Sequence, residues 1–221
     1  MIRDNVLKVR GHIPNSVTIV AVSKARTPEQ IKEAIAAGIT DIGENRVQEA
    51  VVKYNELITH NSKLQTIKWH MVGHLQTNKV KEVVRIFDLI QSVDSLRLAS
   101  EIDKQAARID KTQDILLQVN TSAESNKSGL KPEEAVEVIK KIVEFKNVNV
   151  KGLMTIAPIV DDPQKARPYF RLLRKLRDKI NNLQLTTYNL QLLSMGMTDD
   201  FGVAIEEGSN MVRLGRAIFE S

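Results

Sequence analysis

The chain has 221 residues, 42% hydrophobic and 27% charged, with a formal net charge of +5; that balance excludes disordered material and leaves room for one sizeable core. The lack of any cysteine excludes a disulfide framework, a thiolate nucleophile and a cysteine-ligated metal. No apolar run reaches the ~18 residues of a membrane span, and the start at Met1 carries no secretory signal, so a cytoplasmic protein is expected.

In chain order, Asp4 to Arg10 reads as a helix ahead of the first strand. Strand-like runs then follow at Thr18 to Lys24, Ile39 to Asn45, Lys68 to Gly73, Leu89 to Val93, Asp114 to Asn120, Val148 to Ile156, Leu190 to Gly196 and Met211 to Gly215. Helical patterns separate them, as in parallel βαβ units. Helix starts follow the strands closely: Thr27-Pro28-Glu29-Gln30 and Asn45-Arg-Val-Gln48 match a capping box, and Asp162-Pro163 and Lys131-Pro132 place proline at the first turn. Eight such units without a composition break predict a single (β/α)8 TIM barrel over residues 1–221 with an extra N-terminal helix.

The pI near 9.3 raises the question of an anionic partner. The densest basic stretch, Lys165 to Lys179, carries Leu172, Leu173 and Leu176 at helical spacing and reads as an amphipathic helix with a solvated basic face. No zinc knuckle or aromatic RNP pattern accompanies it, so no nucleic-acid partner and no membrane partner are expected. The histidines His12, His60, His70 and His74 lack metal-ligand spacing, and no metal is expected.

Active sites of this fold lie where strands end. Lys24 ends the first strand, on the face of Val20 and Val22 by period-two alternation; an ammonium at the mouth of a buried strand is costly to desolvate, and such lysines form Schiff bases with carbonyls. The seventh and eighth strands end in Leu193-Ser-Met-Gly-Met-Thr198 and Met211-Val-Arg-Leu-Gly-Arg216, at the recurring phosphate position of the fold. Ser194, Gly196, Gly215 and Arg216 are natural phosphate contacts, whereas Ser194, Thr198 and Asp199 could equally be helix caps. An aldehyde and a phosphate on one ligand point to pyridoxal 5'-phosphate.

The stretches Val20-Ala-Val-Ser-Lys24, Gly43-Glu-Asn-Arg46, Trp69-His-Met-Val-Gly73, Leu75-Gln-Thr-Asn-Lys79, Lys151-Gly-Leu-Met154, Leu193-Ser-Met-Gly-Met-Thr198 and Val212-Arg-Leu-Gly215 resemble the pyridoxal phosphate homeostasis protein family. The resemblance runs nearly end to end. It implies a barrel like the N-terminal domain of alanine racemase, the fold-type III arrangement, with the cofactor held as an internal aldimine on Lys24 and its phosphate at Ser194, Gly196, Gly215 and Arg216. Two positions depart from the pattern. His74 stands where many relatives have proline, and Thr198 where serine is common; threonine keeps the hydroxyl.

Arg213 shares a side with Met211 and Gly215, which points it into the barrel toward the pyridine nitrogen; a protonated guanidinium there leaves that nitrogen unprotonated and the ring a weaker electron sink. Asn45 could reach a polar edge of the cofactor or cap the next helix. Met154 could pack on the ring or be plain core, and for His70 a satisfied strand histidine is the expectation.

Racemisation by the resembling enzymes uses a second base, a tyrosine from the partner subunit. Tyr54, Tyr169 and Tyr188 all fall outside the strand-end motifs, and the chain ends with the barrel. The expected function is therefore pyridoxal phosphate homeostasis or delivery with little or no catalysis, by a monomer in transient contact with pyridoxal-phosphate-dependent enzymes. The alternatives are a low-activity amino-acid racemase, and a nucleic-acid- or protein-binding module using the basic helix 165–179.

Overall fold

A computed structural model describes residues 1–60, 66–124, 127–183 and 189–220, apart from the side chains of 58–60. After α1 (Ile2–Arg10) the chain alternates strand and helix: β1 (Thr18–Val22), α2 (Pro28–Ala36), β2 (Asp41–Glu44), α3 (Val47–His60), β3 (Lys68–Met71), α4 (Val80–Ile86), β4 (Leu89–Val93) and α5 (Leu96–Ala107). The second half repeats the pattern with β5 (Gln113–Gln118), α6 (Ala135–Ile142), β6 (Val148–Met154), α7 (Arg167–Asn182), β7 (Leu192–Ser194), α8 (Phe201–Glu206), β8 (Met211–Leu214) and α9 (Arg216–Phe219). The strands are parallel and form a closed barrel in chain order, β1 pairing with β8. The predicted (β/α)8 barrel with its extra helix is the observed architecture.

Alternation along each strand sorts side chains into two cores. In β1, Ile19 and Ala21 face outward into the large layer under the helices, while Val20 faces inward. The inner cluster is small: Val20, Val72, Leu89, Leu116, Met154 and Met211, with Val22 and Leu192 against it. The outer layer contains the fully buried Trp69, Phe87 and Phe170, each contributing about 2–3 kcal/mol by apolar burial. Gly152 lets β6 and β7 approach, since a Cβ there would stand 1.9 Å from the Leu192 carbonyl oxygen.

The strands end one or two residues earlier than the sequence suggests at β1, β2, β3, β5, β6, β7 and β8; at β1 and β6 one further backbone hydrogen bond, from Ser23 to the Gly43 carbonyl at 2.9 Å and from Thr155 to the Ser194 carbonyl at 3.1 Å, precedes the loop. The capping box at Thr27 forms, with Gln30 N–H donating to Thr27 Oγ1 at 3.3 Å and Thr27 N–H to Gln30 Oε1 at 3.0 Å. The one expected at Asn45 does not: α3 begins only at Val47, too late for Asn45 to serve as its N-cap. In α7 the apolar seam is Phe170, Leu173, Leu176 and Ile180; Leu172 is 38% exposed and lies off that seam. Nor is the basic face merely solvated. Arg167, Arg171 and Arg174 converge on the buried Glu207 at 3.1, 2.8 and 3.2 Å, tying α7 to the end of α8.

Candidate cofactor site at the barrel mouth

Lys24 lies two residues past β1, in a turn at the C-terminal mouth. Its side chain is exposed rather than buried, so the expected desolvation of the ammonium is absent; the strand stops before it and the turn lifts it into solvent. Lys24 forms no ion pair among the described residues. The next residue, Ala25, holds φ 56°, a left-handed conformation costing about 1–2 kcal/mol for a residue with a Cβ.

The turn is braced from beneath. Buried Lys53 of α3 donates to the Ser23 carbonyl oxygen and to Glu44 Oε1, both at 2.7 Å, and Ser23 Oγ donates to the same Oε1 at 2.5 Å. The peptide preceding Lys24 is thus held by an ion pair that links β2 to α3. Sequence reading missed Lys53 and Glu44; the signal was available as a charged residue at a strand end with a lysine nine positions on.

Gly215 stands beside this turn, because a Cβ placed on it would lie 3.5 Å from the Val22 carbonyl oxygen. The loops after β7 and β8 are joined to one another. Arg213 N–H donates to the Gly196 carbonyl at 3.0 Å, Ala217 N–H donates to Thr198 Oγ1 at 3.4 Å, and Arg216 pairs with Asp199. Gly196 has φ 96°, and a Cβ there would meet Ala204 Cβ at 2.6 Å, so glycine is required by conformation and by space. Lys24, Gly196, Thr198, Gly215 and Arg216 are therefore gathered at one mouth, with the Arg216 side chain exposed and turned to Asp199.

Ser194 is placed differently. Its hydroxyl is fully buried, donating to Gln91 Oε1 at 2.6 Å and accepting from Arg213 Nη1 at 2.6 Å, so it is committed to the barrel interior and not turned to the loops. Arg213 points inward as expected, its Nη2 donating to the Thr155 carbonyl at 2.8 Å. Burial lowers its pKa to about 10, with Asp200 nearby acting in the opposite sense; the guanidinium remains charged at neutral pH. Burial in turn raises the Asp200 carboxyl.

Met154 is wholly buried in the inner cluster, paired in register with Ser194. Asn45 lines a cavity of about 260 Å³ at the mouth with Gly73, His74, Gln118, Asn120 and Ile156, and no hydrogen bond of its side chain is made among the described residues. His70 is a satisfied interior histidine, 2.9 Å from both Asp41 Oδ1 and Gln91 Nε2. His74 is exposed, 3.4 Å from Asp94 Oδ2 and from Ser128 Oγ. Of the tyrosines, Tyr54 packs edge-on against Trp69 at 5.5 Å in the outer layer and Tyr169 joins the same layer; Tyr188 and the side chain of His60 lie outside the described residues. A cavity of about 760 Å³ opens at the opposite face among Asp41, Lys68, His70, Lys111 and Asp114. That face is the barrel's stabilising end, and the strand-end chemistry is not there.

The donor set at the mouth suits pyridoxal phosphate. An exposed primary amine stands beside a glycine-lined loop pair, and behind them a buried arginine retains N–H donors beyond the two it spends on Ser194 and Thr155.

The alanine racemase N-terminal domain family matches residues 1–221. A pyridoxal phosphate homeostasis protein of Aquifex aeolicus is 44% identical over 211 residues, covering 95% of this chain and 89% of its own. One from Synechocystis is 39% identical over 207 residues, covering 94% and 92%. Among solved structures, PipY of Synechococcus elongatus with pyridoxal phosphate bound superposes with a TM-score of 0.89 at 33% identity, covering 99% of this chain and 100% of its own. Alanine racemase of Clostridium difficile superposes at 0.79 with 16% identity, covering 98% of this chain and 58% of its own, and shares the fold.

Proposed function

Because this chain belongs to the pyridoxal phosphate homeostasis proteins, built on the alanine racemase N-terminal domain, we propose that it binds pyridoxal 5'-phosphate at the barrel mouth and serves to hold and release it. The observation that carries this reading is the exposed Lys24 beside Gly215, with Arg213 behind them. Pyridoxal phosphate supplies an aldehyde that condenses reversibly with amines.

The residues of the chain do the rest. Lys24 provides the amine for a Schiff base, and Lys53 and Glu44 fix the peptide that presents it. The backbone N–H groups of the Gly196 and Gly215 loops, with Thr198 and Arg216, receive the phosphate. Arg213 faces the ring nitrogen as a permanent donor, which keeps that atom unprotonated and limits proton abstraction from a bound amino acid. Asn45 borders the mouth, and Met154 closes its floor.

A holding role, with little or no catalysis, is supported by the position of Tyr54 and Tyr169 in the outer layer, away from the ring face a second base would need. Exposure of Lys24 favours displacement by incoming amines, and hence delivery to other pyridoxal-phosphate-dependent enzymes, by a protein acting in the cytoplasm as a monomer.

Loading the purified chain with pyridoxal phosphate should give a yellow protein whose colour is lost on borohydride reduction, with the added mass on Lys24. A Lys24→Ala chain should stay colourless. Labelling at another lysine, or an equal colour in the variant, overturns the assignment. Solvent deuterium exchange at the α-carbon of alanine or serine, at turnover rates typical of enzymes, would overturn the holding role and leave the binding site intact.

A further inference from the structure

Five buried side chains from five strands form one directional hydrogen-bond chain through the barrel. Arg213 of β8 donates to Ser194 Oγ of β7 at 2.6 Å, Ser194 to Gln91 Oε1 of β4 at 2.6 Å, Gln91 Nε2 to His70 Nδ1 of β3 at 2.9 Å, and His70 Nε2 to Asp41 Oδ1 of β2 at 2.9 Å. The direction follows from valence. Guanidinium can only donate, so the Ser194 oxygen accepts and its single proton goes to the Gln91 carbonyl. The Gln91 amide nitrogen then faces His70 and requires a lone pair there, which leaves the imidazole proton on Nε2, aimed at Asp41. Reversing any one member would set two donors or two acceptors against each other.

This order also fixes the orientation of Arg213, whose remaining acceptor in the barrel is the Thr155 carbonyl. We propose that Asp41, His70 and Gln91 are positioning residues that act through Ser194 to hold the free N–H edge of Arg213 toward the ring nitrogen of pyridoxal phosphate, an inference that rests on the Arg213 reading above. The competing account is a polar plug that only fills the barrel beneath the small inner cluster.

The test is Gln91→Glu in the full chain. The glutamate has nearly the same shape and cannot donate to His70, so it draws a proton onto Nδ1. Nitrogen NMR of the His70 ring in ligand-free protein should show the proton on Nε2 alone in the natural chain and on both nitrogens in the variant. A natural chain protonated on Nδ1 alone overturns the relay, whatever the ligand does.

The second readout compares affinity for pyridoxal phosphate with affinity for its 1-deaza analogue, in which the ring nitrogen is C–H. The natural chain should favour pyridoxal phosphate by about tenfold, the scale of one charge-assisted hydrogen bond. The preference should fall to about twofold or less in Gln91→Met, which leaves the Ser194 hydroxyl without its acceptor, with affinity for the analogue little changed, and persist in Gln91→Glu and Asp41→Asn, which retain acceptors for Ser194 and His70. An undiminished preference in Gln91→Met overturns the positioning role and leaves a plug. No preference in the natural chain overturns the ring-nitrogen reading of Arg213, and this inference with it, while the Lys24 colour test stands separately. If Gln91→Met does not fold, Ser194→Ala, which removes the hydroxyl that receives Arg213 Nη1, serves for the same comparison.

Discussion

Lys53 reaches across from α3 to donate to the Ser23 carbonyl oxygen at 2.7 Å, one peptide ahead of Lys24. Its ammonium also neutralises Glu44, which is fully buried and whose Oε2 has no hydrogen-bond partner among the described residues. Lys53→Met should therefore destabilise the chain by about 3 kcal/mol, since a buried carboxylate would lose its counter-charge. Lys53→Met combined with Glu44→Gln should cost less than the sum of the two single changes, as urea unfolding would show.

Ala25 stands next to Lys24 in the left-handed region. Replacing it by glycine removes about 1–2 kcal/mol of steric strain and returns about 0.4–1 kcal/mol as unfolded-state entropy. A net gain of about 0.5–1 kcal/mol is expected, seen as a rise of ~1–4 °C in Tm. Pyridoxal phosphate affinity should weaken in the same variant, because the turn that presents Lys24 becomes less defined.

Two glycines should separate folding from binding. The Cβ of Gly152→Ala would stand 1.9 Å from the Leu192 carbonyl oxygen, so β6 and β7 must part, at a cost of about 3 kcal/mol or more. In Gly215→Ala the nearest atom is 3.5 Å away, and stability should hold within about 0.5 kcal/mol. Pyridoxal phosphate affinity, measured by absorbance titration, should nevertheless drop about tenfold or more, because the methyl group stands where the loop backbone would meet the phosphate.

Burial by itself would raise the pKa of Asp41, but the hydrogen bonds from His70 and Thr40 outweigh it and leave the carboxyl lowered. A carboxyl lowered in the folded state contributes stability that is fully present above its unfolded value, near ~3.9, and is lost as pH falls through the lower folded value. The stability advantage of the natural chain over Asp41→Asn should thus be constant from about pH 5 upward and shrink as pH drops toward about 2. Urea unfolding at pH 6, 4 and 3 checks the sign; an advantage that grows on acidification contradicts it.

The barrel was legible in the sequence because short apolar runs alternate with helical patterns in chain order, and at α2 the helix start is marked by the Thr27 cap and Pro28. Strand ends were placed one or two residues too late, since nothing in Ser23-Lys24 or Thr155-Ile156 marks where the strand stops, and Ser23 and Thr155 each donate one more backbone hydrogen bond to the neighbouring strand. The placement of Lys24, Gly196 and Gly215 at the mouth and of Arg213 in the barrel interior could be read from the sequence, because period-two alternation and the strand ends determine it. Ser194 could not be resolved that way. Its motif fits a phosphate loop, but its partners Gln91 and Arg213 come from strands 103 and 19 residues away in sequence, and no local pattern records such pairings. The Lys53 and Glu44 brace escaped notice for a related reason, since a lysine amid a helical pattern looks like a solvated face until the strand beneath it is in view.

Lys24 belongs to neither of the two cores. A residue outside the cores can gain or lose a ligand without repacking the barrel, so one such site has a single dissociation constant, and its occupancy adds to the stability of the fold by mass action. With Lys24 as the tether proposed above, such a protein would act as a reservoir: its capacity would be set by how many copies the cell makes, and its set point by the affinity of one exposed amine.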